Sequence, residues 1–382
     1  MRSKILLVVG YYLPSFHGGI SKTIQNLLSE TADKFDYEII TRDRDKKKDP
    51  PYNSIKSNKW NNVKNVYIYY ANENTFSFKK ILKIISQKKY NIIHLNSLFD
   101  LFSIKFLILF RFKKIKNCRI ILSPRGEFGE ASFRIRKLKK IIYLYIMKKF
   151  GFFNNLFWHA STKLEQNEIK YFFKDENIKC LIANDISTNV KISNYISEKK
   201  KNIKKNIVFL SSISPEKNLL YALDIMKNVK TEIEFDIWGP IKDKKYWNQC
   251  KKIMKTLPKN IELKYLGFLE EKDVLSVLSR YDLMFLPTGG ENFGHVISEA
   301  LSVGTKVLIS NKTQWQNLEQ NNLGWDFDLK QSKKFINILE NEDKIMLSNN
   351  KKVRIKVIEN FNSYYPKLDI INDNIKLYNG IL

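Results

Sequence analysis

The chain has 382 residues, 43% hydrophobic and 13% aromatic, which excludes a disordered protein and, at roughly 150 residues per domain, predicts two to three domains. Its 66 lysines and arginines against 39 acids give a net charge of +27, which predicts an anionic partner: nucleic acid, an acidic membrane leaflet or a phosphorylated ligand. Lysine, asparagine and isoleucine run high together, as in an AT-rich genome, so charge alone does not choose among these. Cys118, Cys180 and Cys250 are far apart with no CxxC, which excludes a disulfide framework and fits a reducing cytoplasm. Four histidines without ligand spacing exclude a histidine-based zinc site.

The first residues, MRSKILLVV, have the basic start and short apolar run of a signal peptide. No small-x-small cleavage site follows, so the run reads as a first strand, Lys4–Val9. Short apolar runs then alternate with amphipathic segments. Tyr37–Thr41, Val66–Ala71, Ile92–Leu95, Arg119–Ser123 and Leu156–Ala160 read as strands, and Ile20–Thr31, Phe78–Gln87 and Ser132–Lys149 as helices. The most apolar stretch, Leu98–Phe112, is cut by Asp100, Lys105 and Arg111 and falls short of the roughly 20 apolar residues of a spanning helix. No transmembrane segment is expected.

The alternation breaks at Asn184–Asn206, whose charge run Glu198-Lys-Lys-Lys-Asn-Ile-Lys-Lys205 reads as a linker. It then restarts. Strands are expected at Ile207–Ser211, Phe235–Trp238, Ile261–Leu266, Leu283–Pro287 and Lys306–Ile309. Helices are expected at Leu219–Val229, Tyr246–Leu257, Lys272–Arg280 and His295–Val303, with a helical tail over Lys351–Leu382. This is the pattern of two α/β domains, each a doubly wound parallel sheet. Such sheets bind ligands at the carboxyl ends of their strands, and the cleft between the domains is the default site.

One stretch stands out: Thr288-Gly-Gly-Glu-Asn-Phe-Gly-His-Val-Ile-Ser-Glu-Ala-Leu-Ser-Val-Gly304. A buried strand, a turn through Gly289 and Gly290, and a helix from about Gly294 or His295 make an anion-docking site, because the first N–H groups of a helix are unpaired and its dipole is positive there. Glu299 lies one turn into that helix, where a carboxylate suits the two vicinal hydroxyls of a ribose. Glu291 precedes the helix and can reach another hydroxylated ring. The bland alternative is two solvated glutamates.

The spacing of Glu291 and Glu299, with seven residues between them, resembles the E-x7-E segment of the group 1 (family 4) retaining glycosyltransferases, of the type that builds bacterial surface polysaccharide. The resemblance extends along the chain in the family's order. Gly18-Gly19 is similar to the family's N-terminal Gly-Gly loop, and Ser211-Ser-Ile-Ser-Pro-Glu-Lys-Asn-Leu219 to its G-R-x-x-x-x-K-G turn. Trp238-Gly-Pro240 and Leu266-Gly-Phe268 fall where loops bordering the nucleotide base usually lie.

The resemblance implies the GT-B fold, two Rossmann-like domains facing across a cleft. It implies an N-terminal acceptor-side domain over 1–183, a linker over 184–206, a nucleotide-sugar domain over 207–360 and a helix over 361–382 crossing back. The implied activity is metal-independent, cofactor-free transfer from a nucleoside-diphosphate sugar to a glycan hydroxyl, on a polyprenyl-diphosphate carrier, in O-antigen or capsule assembly at the inner face of the cytoplasmic membrane. By the same resemblance Glu299 takes the ribose. Asn292, Phe293 and Gly294 hold the sugar and diphosphate, Glu291 contacts the transferred sugar, and Lys217 neutralises the leaving diphosphate. Gly18, Gly19, Ser212, Gly239 and Phe268 complete the donor set. His17, Glu127 and His295 are acceptor-side candidates.

The chain departs from the family in two places. Ser212 stands where the phosphate turn usually has arginine, so one diphosphate cation is absent. Arg125, in Ser123-Pro-Arg-Gly-Glu-Phe128, stands where many members carry a histidine. It stabilises anionic charge but is no base near neutral pH; the alternative is a structural arginine paired with a carboxylate. Alternatives for the whole chain are a nucleotide-sugar epimerase or hydrolase of the same fold, or a non-catalytic nucleotide-sugar binder.

Asp43-Arg-Asp45 has the D-x-D spacing of metal-dependent transferases of another fold, but lies in a lysine-rich loop, and no metal is expected. His94 and His159 end strands and read as core histidines. Residues 105–149 hold 14 basic residues against Glu127 and Glu130, close to half the net charge. Ile135, Leu138, Ile142 and Tyr145 recur there at helical spacing, opposite Arg136, Lys137 and Lys140. Such a helix lies on an anionic bilayer or packs on the core with a solvated face. No nucleic-acid motif accompanies it, and no nucleic-acid partner is expected.

Overall fold

Runs such as Ile5-Leu-Leu-Val-Val9 have no polar face, and a strand of this kind is stable only in a parallel sheet covered on both sides. In the computed structural model, which describes residues 2–15, 18–129, 132–133, 136–176, 178–190, 204–341 and 351–380, these runs form two sheets. They lie in two units: Met1–Ile186 with Leu368–Leu382, and Ser187–Lys367.

In chain order the first unit holds β1 (Lys4–Val9), α1 (Gly19–Thr31), β2 (Asp36–Arg42), β3 (Trp60–Val63), β4 (Val66–Ala71), α2 (Phe78–Lys88), β5 (Ile92–Asn96), α3 (Leu101–Arg111), β6 (Arg119–Ser123), α4 (Lys137–Lys149), β7 (Phe157–Ala160), α5 (Lys163–Phe173) and β8 (Cys180–Ile182). The sheet order is β3-β4-β2-β1-β5-β6-β7-β8. All pairings are parallel except β3 with β4. Strand order reverses between β1 and β5, so the turns after these strands lie at a switch point.

The second unit holds β9 (Lys205–Leu210), α6 (Leu219–Met226), β10 (Ile233–Trp238), α7 (Lys244–Met254), β11 (Ile261–Gly267), α8 (Val274–Leu278), β12 (Leu283–Leu286), α9 (His295–Ser302), β13 (Lys306–Ser310), β14 (Gly324–Phe327), α10 (Ser332–Glu340) and α11 (Lys351–Tyr364). Its sheet is wholly parallel in the order β11-β10-β9-β12-β13-β14. The switch point falls between β9 and β12. Ile207, Val208, Phe209, Met284, Phe285 and Leu286 are fully buried there, each such side chain contributing about 1.5–3 kcal/mol.

The last helix, α12 (Lys367–Asn379), belongs to the first unit from Leu368 onward. The chain passes between units after α11 rather than at residue 361, because residues 361–364 continue α11 and Phe361 is buried against Trp315. A chain of buried polar groups fastens α12 to the sheet. His159 Nε2 lies 2.9 Å from the Ala183 carbonyl, which only accepts, so Nε2 carries the proton and Nδ1 accepts from Ser123 Oγ at 2.6 Å. Ser123 Oγ then accepts from His94 Nε2 at 2.6 Å, and His94 Nδ1 accepts from the Tyr378 hydroxyl at 2.8 Å. Burial pulls both imidazoles down, His159 to about 3, which keeps both neutral as this chain of donors requires.

Within the expected linker, residues 184–190 form no helix or strand, 191–203 lie outside the described residues, and Lys205 already opens β9. Among the described residues no helix is long and apolar enough to cross a membrane.

Candidate functional site

Three turns at the carboxyl ends of β9, β10 and β12 are tied to one another in the second unit. After β9 the chain makes a 3-10 turn, Pro215–Lys217, and Asn218 enters α6 in the left-handed region. The Glu216 carbonyl accepts from Gly289 N–H at 2.7 Å and Thr288 Oγ1 at 3.1 Å, while Asn218 Nδ2 donates to the Pro287 carbonyl at 3.0 Å. The turn after β12 is thus fixed on the turn after β9. On the other side Ile213 N–H donates to the Pro240 carbonyl at 2.9 Å. Gly239 permits this approach: its φ is 141°, and a Cβ there would lie 1.8 Å from the Ser211 carbonyl oxygen.

Lys217 and Glu291 meet at this switch point, with Nζ 2.6 Å from Oε1, both side chains less than one-fifth exposed. Burial pulls the lysine pKa down, but Glu291 and then Glu216 outweigh it, so the net shift is upward and the ammonium stays charged. Glu291 is itself held by its N–H, which donates to the Lys312 carbonyl at 3.1 Å. The pair leaves the remaining carboxylate oxygen of Glu291 and two ammonium protons of Lys217 able to meet polar groups.

Helix α9 starts at His295 with Gly294 at φ 77° as its N-cap and no side-chain cap. No acid occupies its first turn, so the positive end of its dipole is not offset there by a side-chain carboxylate. Glu299, one turn on, is 7% exposed and accepts from Thr188 Oγ1 at 3.3 Å. Phe293 is buried against His295, Trp315 and Tyr365, and its carbonyl accepts from Trp315 Nε1 at 2.6 Å. Its side chain therefore fixes the turn, leaving only its backbone for a ligand. Asn292 and His295 are half-buried on the same turn. Ser212 lies in the turn after β9, Gly239 after β10, and Phe268, 47% exposed, after the edge strand β11. The second unit therefore gathers Ser212, Lys217, Gly239, Glu291, Asn292, Gly294, His295 and Glu299 on the strand ends around one switch point.

The remaining candidates lie in the first unit. Gly18 is the N-cap of α1 and Gly19 its first residue, following β1 at the switch point; His17 lies outside the described residues. Arg125 is not a free cation. Nε and Nη2 donate to Asn96 Oδ1 at 3.1 and 2.8 Å, and Nη1 donates to Ser161 Oγ at 3.1 Å and Asp185 Oδ1 at 2.7 Å. With the arginine 3% and the aspartate 5% exposed, this is a structural tie joining β5, the end of β7 and the chain after β8. The carboxylate partner that the second sequence reading of Arg125 called for is Asp185.

Glu127 follows in the same turn. It accepts from Ser97 Oγ at 2.6 Å and Leu98 N–H at 2.5 Å, and burial pushes its pKa up to about 7 despite those bonds. The turn is anchored from below by Glu165, which accepts from Gly126 N–H at 2.6 Å and Ser161 N–H at 2.7 Å while Thr162 caps α5. The sequence Thr162-Lys-Leu-Glu165 is a capping box, and that spacing was the available signal for α5 and for this anchor. Asp43 and Asp45 accept from Arg44, Ser57, Ser15 and Tyr52, and among the described residues no group of three acids, histidines or cysteines could hold a metal.

On α4 the structure redraws the sequence expectation. Leu144 and Met147 pack inward, and Lys140 turns inward too, its ammonium donating to the Ser132 carbonyl at 2.8 Å. Leu138, Ile142 and Tyr145 face solvent, 71%, 51% and 65% exposed, so this apolar stripe is not core-packed; Ile135 lies outside the described residues.

Residues 190–355 match the family described as Glycosyl transferases group 1. The chain is 22% identical over 312 residues to an uncharacterized 41.2 kDa protein in the cps region of Klebsiella pneumoniae, covering 79% of this chain and 82% of that one. Among solved structures, Anabaena HepE in complex with UDP-glucose has a TM-score of 0.72 at 12% identity, each chain covered in full. Sucrose-phosphate synthase from Thermosynechococcus elongatus has a TM-score of 0.71 at 13% identity, covering 100% of this chain and 99% of that one. Two parallel α/β units of this kind have the GT-B fold. The matched segment spans the loops of the second unit described above.

Proposed function

We propose that the protein is a retaining glycosyltransferase that moves a sugar from a nucleoside-diphosphate sugar to a hydroxyl of a polyprenyl-diphosphate-linked glycan, in the assembly of a bacterial surface polysaccharide. The observation that carries this reading is the Lys217–Glu291 pair at the β9/β12 switch point, beside the uncapped start of α9. The donor diphosphate lies on the α9 N-terminus, Glu299 accepts from the ribose hydroxyls, and Glu291 accepts from a hydroxyl of the transferred sugar. The bond from the anomeric carbon to the terminal phosphate oxygen breaks, and Lys217 stabilises the charge left on that oxygen. The acceptor oxygen joins the anomeric carbon on the face the phosphate leaves, and its proton passes to the departing phosphate. No metal or cofactor takes part. HepE, of the same fold, holds UDP-glucose, and the Klebsiella relative lies in a cps region; both support a nucleotide-sugar donor and a surface glycan.

The membrane part of the reading rests on α4. Leu138, Ile142 and Tyr145 line its outer face, with Lys137, Lys139 and Lys149 also exposed. An apolar stripe among lysines favours an anionic bilayer, each lysine near the surface adding about 1 kcal/mol. The enzyme works on the inner face of the cytoplasmic membrane, where nucleotide sugars and a lipid-linked acceptor meet.

The test is turnover of a panel of nucleoside-diphosphate sugars with a lipid-linked acceptor fraction. Transfer is expected for at least one donor, with a loss of about 100-fold or more in Glu291→Ala. No transfer from any donor, or full activity in that variant, overturns the proposal. Donor consumption without any acceptor identifies a hydrolase or epimerase instead.

A further inference from the structure

A nucleoside diphosphate leaving a sugar gathers new charge on its terminal phosphate, so the loops that receive it must not present net negative charge. The loops joined at Lys217 do not meet this condition by themselves. Lys217 is ion-paired with Glu291, and Glu216 is near enough to lift its pKa. These three groups sum to one negative charge. Ser212, on the same turn, adds none, and Arg125 has spent its donors on Asn96, Ser161 and Asp185.

One more cation is built into this place by the backbone. Ile213 N–H donates to the Pro240 carbonyl, and Lys242 N–H donates back to the Ile213 carbonyl at 3.1 Å. Ile213 and Ile241 form a parallel bridge. The turn after β10 therefore runs alongside residues 211–214, and Lys242 starts beside the phosphate turn. The residue is exposed, and among the described residues its ammonium has no ion-pair partner. Partial desolvation by the surrounding loops, and then the charge of Lys217, hold its pKa below that of an ordinary lysine, while Glu216 and Glu291 oppose the shift. Its charge is thus felt at Lys217 and at both acids.

We propose that Lys242 is the second diphosphate-binding cation of this site, reaching from the β10 turn to the position an arginine at residue 212 would otherwise serve. This rests on the donor-site reading above. Lys242 turns the local count from one net negative charge to two positive against two negative. Lys217 and Lys242 then approach the diphosphate from different turns, and two cations so placed favour two linked phosphates over one.

The experiment is calorimetry of the full chain with UDP, ADP, GDP and dTDP and with the matching monophosphates. For the diphosphate that the unmodified protein binds, Lys242→Met is expected to lose about tenfold in affinity, the worth of a charge-assisted hydrogen bond. The matching monophosphate is expected to change less than about threefold by the same measure, and Ser212→Arg added to Lys242→Met to restore most of the loss. Unchanged diphosphate affinity in Lys242→Met, or an equal loss for mono- and diphosphate, overturns the inference and leaves the donor site standing. If the unmodified protein binds no nucleoside diphosphate, the donor-site reading fails and this inference with it.

Discussion

Two kinds of polar cluster sit at strand ends of this protein and are built on opposite plans. In the first unit Arg125, Asp185, Asn96 and Ser161 form a closed group, and His94, Ser123, His159 and Tyr378 form a second whose donors and acceptors match one to one. The histidines are neutral and fully buried. In the second unit Lys217, Glu291, Glu216 and Lys242 are charged, lie on turns rather than on strands, and keep hydrogen-bonding capacity beyond their own contacts. The first plan saturates polar groups and so stabilises; the second leaves charge at a switch point, which is what the proposed donor site uses. A candidate arginine and a candidate lysine looked equivalent in the sequence, and their partners separate them.

The largest effect should come from opening the closed cluster. Arg125→Ala leaves Asp185 buried without its ion-pair partner, which costs about 3–5 kcal/mol. Urea unfolding should show that loss; a drop under about 1 kcal/mol would mean that the tie is not structural.

Glu127 sharpens the comparison through pH. Its folded-state pKa is raised from 4.5 to about 7, so the folded form holds a proton that the unfolded chain releases. The stability it contributes is complete below about pH 4.5 and is lost as pH rises through 7, by no more than about 3 kcal/mol. Glu127→Gln should flatten the fall in Tm between pH 5 and 8 relative to the unmodified protein. An identical slope in both would contradict the assignment.

The smallest effect on stability belongs to α4. Ile142→Asp and Tyr145→Asp on its exposed face should leave Tm within the roughly 0.5 kcal/mol typical of surface changes. Co-sedimentation with anionic vesicles should fall severalfold. Retained sedimentation would remove α4 from the membrane reading.

Much of the fold is legible in the sequence. The apolar runs of β1, β5, β9 and β12 announced parallel sheets, and the stretch from Thr288 onward announced a turn into a helix that starts at His295. The short edge strands β3, β8 and β14 were not legible, because three or four residues carry no period. Helix α5 was legible only through its capping box. The ends of β5, β7 and β8 that capture Arg125 are 29 to 60 residues away from it in sequence, so no local pattern shows that capture. Lys242 was hidden for the same reason: its significance comes from the zipping of the β10 turn onto the β9 turn, which depends on sheet order.

In the proposed reaction the charged pair at the β9/β12 switch point serves transfer and not folding. The direct measurement is the rate of sugar transfer by Lys217→Met, similar in length and uncharged, at saturating donor and with its Tm recorded alongside. A fall of about 100-fold or more in rate with Tm little changed is expected. A rate within about twofold of the unmodified protein, or a rate lost only in step with Tm, would contradict it.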